Sequence, residues 1–225
     1  KSIYIMSCFN LRERLFLRLK ELLYRYGSRW DKLSPDMGEV SIECRRSMSL
    51  EEDEQYLENI TKYAIKNINI PPKDSQVDNP NIDTPEKKIC SNGTKYNENL
   101  RKGILCDEVF ENSEFIRKYK LEVDLVIYRG VKDSILFHNI ESAKGNSYFD
   151  LYEKGFLFGS LTKTTCLQGR NYYMRIYLPK GTCAFYSGNI NNESYLQEIV
   201  VQRGARLKIL SKDKTYLNCL LINTD

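Results

Sequence analysis

A single carboxylate, Glu198, stands directly against an apolar run, Ile199-Val200-Val201, in the stretch ESYLQEIVVQRGARLKIL (193–210). A carboxylate at the mouth of a buried strand loses part of its hydration, so such strands usually open on an uncharged residue. Two interpretations stand at this point: the last solvated residue of a loop, or an acid placed where its charge acts. The other chemistry-bearing side chains narrow the field. His138 is the only histidine, and a lone imidazole of this kind reads as a surface or partly packed residue. The seven cysteines (Cys8, Cys44, Cys90, Cys106, Cys166, Cys183, Cys219) are odd in number and scattered, with no CxxC pair. Neither a zinc site nor a disulfide framework is expected from them; reduced thiols are, and no metal is called for.

The frame around Glu198 is an ordinary globular one. A chain of 225 residues, 41% hydrophobic and 28% charged, suits one large domain with a helical extension and not a disordered protein. A net charge of +4 is too mild to argue for nucleic acid, and none is expected as a partner. No run approaches the roughly 18 apolar residues of a membrane span. Lys1 opens the chain with neither a Met nor a signal-peptide pattern, so further sequence upstream is expected.

Two halves carry different hydrophobic periods. In FNLRERLFLRLKELLYRYG, Leu11, Leu15, Leu19, Leu22 and Leu23 recur at helical spacing, with Arg and Lys on the other face and Gly27 as a stop. This amphipathic helix packs on its own domain or, with its arginine-rich face, contacts a membrane surface or a partner. A second helix opens at Ser49, with Glu52 completing a capping box, and runs through LEEDEQYLENITKYAIKNI. The polar segment 71–88 holds four of the six prolines and predicts an exposed, mobile loop, with shorter helical pieces near 95–106 and 113–119. From Leu121 the pattern turns to short β-branched or aromatic runs divided by Gly, Pro and Asn: VDLVIYRG, GFLFGSLTKT, YYMRIYLPKGTCAFY, QEIVVQRG, RLKILSKD and TYLNCLLINT. Apart from a helical pattern near 145–154, strands dominate, so the class is α+β with an antiparallel or mixed β-core. The expected division is a helical lobe over 1–120, with its loop at about 71–90, and a β-rich core over 121–225.

Three strand starts fall in a definite order: YRG, then GFLFGSL, then the acid before IVV. That order resembles the mono-ADP-ribosyltransferase toxins and effectors of the Arg–Ser–Glu class, relatives of the bacterial ADP-ribosylating exoenzymes, over about Leu121 to the C-terminus. The PKGT turn leading into an aromatic strand is similar too. The resemblance implies a helical lobe followed by a mixed/antiparallel β-sandwich core that takes NAD+ as substrate, without a metal.

It also implies roles for individual residues. Arg129 would hold a pyrophosphate or brace the site through its forked donors, and Gly130 would let the dinucleotide approach the backbone. Tyr128 is expected to pack inward. The second motif matches at Gly155, Phe156, Ser160 and Leu161, while Phe158 and Gly159 replace the family's first Ser and its Thr. That first serine normally helps orient the catalytic glutamate, so either Ser160 or Thr162 takes over, or the site works more slowly or binds its glutamate differently. Gly169 and Arg170, in TKTTCLQGRN, lie where the family keeps a phosphate-contacting loop. Glu198 would be the catalytic acid, binding the nicotinamide-ribose 2′-hydroxyl and stabilising a cationic ribose. Two positions earlier the family carries Glu or Gln; here that position is Leu196. The acceptor is then another side chain, or one reached by Glu193 from the loop. Tyr186, Glu193, Tyr195 and Leu196, on or beside YSGNINNESY, would recognise the protein substrate.

The function so implied is transfer of ADP-ribose from NAD+ to a side chain of a host protein by a secreted bacterial effector. It would act as a monomer in the host cytosol, with membrane contact through the first helix and a host small GTPase as activator. The alternative is a pseudo-enzyme of the same fold that binds NAD or a partner or membrane without transfer, favoured by the missing Ser, Thr and second acid.

Overall fold

The computed structural model describes residues 27–37, 39–71, 84–132, 140–142, 148–164 and 170–225. The expected first helix up to residue 26, most of the expected 71–88 loop, His138 and Gly169 lie outside them.

Among the described residues four helices precede the strands: α1 (Ile42–Arg46), α2 (Leu50–Asn67), α3 (Pro85–Arg101) and α4 (Asp107–Arg117). The capping box forms as the spacing predicts, with Glu52 N donating to Ser49 Oγ at 3.2 Å and Ser49 N to Glu52 Oε2 at 2.7 Å. α3 departs from the sequence expectation. It begins inside the proline-rich stretch, because Thr84 caps it and Pro85 occupies its first turn, where a missing N–H costs nothing. It ends at Arg101, and α4 starts at Asp107, earlier than the piece expected near 113.

Among the described residues nine strands follow: β1 (Leu125–Val131), β2 (Ile140–Ser142), β3 (Leu151–Glu153), β4 (Leu157–Ser160), β5 (Tyr172–Leu178), β6 (Ala184–Tyr186), β7 (Glu198–Val201), β8 (Ala205–Lys212) and β9 (Tyr216–Asn223). The helical pattern near 145–154 is overturned at its end, where Leu151–Glu153 pair with β8 as strand β3. The sheet order is β2-β3-β8-β9-β5-β1-β4-β7-β6. Only β5 and β9 run parallel, and every other pair is antiparallel.

β1 is the spine. It pairs with β5 along all seven residues but with β4 at a single position, Tyr128 opposite Ser160. Strands from both sides of that hinge share one core. Leu125, Ile127, Met174, Cys219 and Leu207 from one side meet Leu157, Ile199, Val201 and Tyr186 from the other, with Tyr56, Ile60 and Ala64 of α2 completing it. The opposite face of β1, Val126 and Tyr128, is covered by Trp30 from the turn Gly27–Leu33. Burial on both faces explains why LVIY is apolar without alternation. A second cluster joins α3 and α4 (Ile89, Tyr96, Leu100, Val109, Ile116) to Phe156, Phe185 and Val200.

Asn97 fixes α3 onto this sheet. Its Nδ2 donates to Phe156 O at 2.9 Å, and Phe156 N donates to its Oδ1 at 2.7 Å, a buried pair that substitutes for a ladder contact. The next residue back must be glycine, since a Cβ on Gly155 would lie 2.4 Å from Asn97 Oδ1. Gly155→Ala should therefore cost about 2–4 kcal/mol, overpacking plus the lost buried hydrogen bonds. A urea midpoint unchanged from the parent protein would contradict this fixation.

Candidate active site

Strand alternation places Phe158 and Ser160 of β4 and Glu198 and Val200 of β7 on one face, with Ser160 opposite Glu198 and Phe158 opposite Val200. α3 lies over that face. Between them is a cavity of about 420 Å3, lined by Arg129 and Gly130 of β1, Phe158 and Ser160 of β4, Glu198 of β7 and the α3 residues Gly93, Asn97 and Arg101. Arg170, Glu193 and Leu196 complete the rim. The volume lies within the range of small-molecule sites.

One wall is cationic. Arg129 is buried, and its Nη1 donates to Phe158 O at 2.9 Å, bridging the gap where β1 and β4 stop pairing. Its Nη2 lies 3.6 Å from Glu153 Oε2. Glu153 has no exposed surface and is held by Arg101 in a two-pronged pair, Nε to Oε1 at 3.0 Å and Nη2 to Oε2 at 2.7 Å. Gly155 N adds a third donor at 3.0 Å. Burial pulls the Arg129 guanidinium below its ordinary value, with Glu153 opposing the shift and Arg101 adding to it. Arg101 and Arg129 thus share the buried carboxylate of Glu153, and the exposed Arg170 adds a further positive charge that acts on Arg129.

The opposite wall is acidic. Burial pushes the Glu198 carboxyl up to about 7; the nearby Glu193 adds to the rise and Arg129 opposes it. Both acids also act on Cys90, whose thiol burial drives well above its ordinary value. A positive wall facing two acids suits a ligand that is anionic at one end and cationic at the other.

The loop before Glu198 is tightly built. Residues Ser194–Leu196 form a 3₁₀ turn, and Gln197 follows in the left-handed region at φ 48°. Gln197 is buried and fully engaged: Tyr186 Oη donates to its Oε1 at 2.9 Å, and its Nε2 donates to Ser194 O at 2.9 Å and Thr61 Oγ1 at 3.1 Å. The stretch 196–198 is not extended, so Glu193 comes back to the cavity wall although simple alternation sends it elsewhere.

Several expected contacts come out differently. The Ser160 hydroxyl donates to Leu196 O at 2.8 Å and lies 3.2 Å from Thr162 Oγ1, so it clamps the loop that leads to the glutamate. Thr162 is wholly buried behind it and does not line the cavity. Tyr186 is 1% exposed and serves as the Gln197 anchor, so it cannot meet a protein substrate at the surface. Glu193 and Leu196 remain at the rim, while Tyr195, at 53% exposure, stands on the surface beside them in sequence and does not line the cavity. Tyr128 packs inward as expected, its hydroxyl donating to Asp31 at 2.8 Å. The sequence reasoning missed Arg101, Asn97 and Glu153. The signal was present for two of them: Cys90, Gly93, Asn97 and Arg101 recur at helical spacing along one face of α3.

A β-core split at its central strand, carrying arginine, serine and glutamate on three successive strands around one cavity, defines the ADP-ribosyltransferase toxin class. Plx2a, an ADP-ribosyltransferase toxin from Paenibacillus larvae, superposes with a TM-score of 0.54 at 17% identity, over 75% of this chain and 97% of its own. The C3 exoenzyme of Clostridium limosum gives 0.54 at 16%, over 73% and 94%. BECa, the ADP-ribosylating component of a binary enterotoxin of C. perfringens solved with NADH, gives 0.56 at 13%, over 74% of this chain and 48% of its own. No curated protein matches the sequence. The model of the ADP-ribosyltransferase exoenzyme family matches residues 57–221, and the chain belongs to that family.

The Glu198 shift has a sign that stability measures. Its carboxyl ionises near 7 in the fold against an ordinary value of 4.5, so the folded state holds the proton longer. The stabilising contribution of the neutral form is complete below about 4.5 and is lost as pH rises through about 7. Glu198→Gln, neutral throughout, should raise the melting temperature by roughly 5 °C at pH 8 and by much less at pH 5. An equal shift at both values would rule out a buried, hard-to-ionise Glu198.

Proposed function

We propose that this chain transfers ADP-ribose from NAD+ to a side chain of a host protein, as a secreted bacterial effector of the exoenzyme family. The observation that carries this is the cavity itself, with Arg101, Arg129 and Arg170 on one side and Glu198 with Glu193 on the other. The pyrophosphate matches the guanidinium side by charge, where Arg129 and Arg101 are already oriented by Glu153 and only the donors not spent on Glu153 and Phe158 O are left to a ligand. Glu198 then faces the nicotinamide ribose. As the glycosidic bond breaks, nicotinamide leaves neutral and the ribose becomes cationic; an ionised Glu198 stabilises that charge in a partly dry site. An acceptor nucleophile closes the bond to C1′ and gives up its proton.

The segment between Tyr186 and Glu198 carries acceptor recognition. Glu193 stands at the cavity rim and Tyr195 is exposed on the surface, while the segment's C-terminal end is held by Gln197 and Ser160. The alternative, an NAD-binding pseudo-enzyme, is favoured by one observation: Phe158 stands where a serine would orient the glutamate, and Ser160 is committed to Leu196.

Turnover separates the two. Glu198→Gln should lower NAD+ hydrolysis and labelling of host-lysate protein from biotin-NAD+ by about 10²–10³-fold while NAD+ affinity barely changes. Because the ionised form acts, the parent rate should climb about tenfold per pH unit below about 7 and level off above it. A parent protein that binds NAD+ without turnover would establish the pseudo-enzyme; a parent rate retained by Glu198→Gln would remove Glu198 from the mechanism.

A further inference from the structure

Phe158 occupies the cavity in a way the reaction chemistry above has not used. Its strand position puts it on the same face as Ser160 and Glu198, and the diagonal neighbour across an antiparallel pair lies roughly 7 Å away. Its ring spans from β4 to α3. A Cβ on Gly93 would lie 2.4 Å from Phe158 Cζ and 3.0 Å from Cε2, so the far edge of the ring rests on a helix position that only glycine leaves open. The ring is held at both ends, packs against the Ile89–Val200 cluster and leaves its remaining surface to the cavity. A glycine inside α3 costs helix stability of ~1 kcal/mol, and this contact gives it a purpose.

Tyr128 is the other aromatic residue on the cavity wall among the described residues. Its hydroxyl is tied to Asp31 and it packs with Trp30 on the far side of β1, so its ring is turned away. Phe158 is therefore the aromatic surface nearest the acid wall. NAD+ carries its one positive charge on the pyridinium of nicotinamide, and a cation over an aromatic ring gains from the ring quadrupole, more so when desolvated. That same charge disappears in NADH.

We propose that Phe158, propped by Gly93, is a specificity-determining platform for the cationic nicotinamide ring, selecting NAD+ over NADH beside Glu198. This rests on the assignment of NAD+ to the cavity. The platform contributes attraction where the family's serine would contribute a hydrogen bond, and it loses its grip as the pyridinium becomes neutral nicotinamide, which favours release of the leaving group.

Calorimetric affinities of the full chain for NAD+ and NADH test it. Phe158→Leu keeps apolar bulk without the quadrupole, and should reduce the NAD+ to NADH affinity ratio by about tenfold, mainly through NAD+. Phe158→Tyr should keep the parent ratio. Gly93→Ala, which drives a methyl into Cζ, should lower the ratio in the same direction with Phe158 intact. Circular dichroism and melting temperature establish that each variant is folded. A ratio unchanged in Phe158→Leu overturns the platform, and tighter NAD+ binding in Phe158→Leu overturns it by showing that the ring obstructs the site. A parent protein binding neither nucleotide removes the NAD+ assignment and the platform with it; a parent that binds NAD+ with the ratio unmoved by Phe158→Leu removes the platform alone.

Discussion

Glu153 holds the site together. It has no exposed surface, yet it accepts from Arg101 of α3, lies beside Arg129 of β1, and takes the N–H of Gly155 at the entrance to β4. A lone buried carboxylate is costly, and two neighbouring guanidiniums without a counter-charge are costlier still. Each member makes the others tolerable, so three elements far apart in sequence must meet at one point. The distance between the helical layer and the sheet, and with it the width of the cavity, follows from that meeting. The surplus positive charge left over faces the ligand space.

Asn97 and Phe158 work in the same direction by other means. Asn97 replaces missing ladder partners of β4 with two side-chain hydrogen bonds, and Phe158 O receives Arg129 where β1 and β4 diverge. The sheet is thus opened at its hinge without leaving these backbone groups unpaired. The opening is one border of the cavity.

Much of this was legible in the sequence because it is local. The change of period at Leu121, the capping box at Ser49 and Glu52, and the apolar runs before Arg129 and after Glu198 depend on near neighbours. Arg129 and Glu198 could be picked out because each stands beside a strand whose burial is visible in its composition. What was not legible depends on distant pairing. Glu153 is an unremarkable acid until Arg101, 52 residues earlier, is placed beside it. Pro85 and Gly93 argue against a helix locally, and only Thr84 as a cap and the Phe158 ring explain why α3 runs through them. The partners of Tyr186 and Ser160 are hidden for the same reason: Gln197 and Leu196 belong to a turn whose left-handed residue breaks strand alternation.

The segment between β6 and β7 is clasped at both ends. Ser187 N donates to Glu198 O, Leu161 N to Gln197 O, and Tyr186 and Thr61 hold the Gln197 side chain from beneath. Everything between those clasps is a short excursion joining two adjacent antiparallel strands, and its shape is decided by its own turns. An excursion anchored in this way has a fixed footing on the sheet but still reaches the cavity through Glu193, so a change of charge in its middle is felt by the glutamate that follows it.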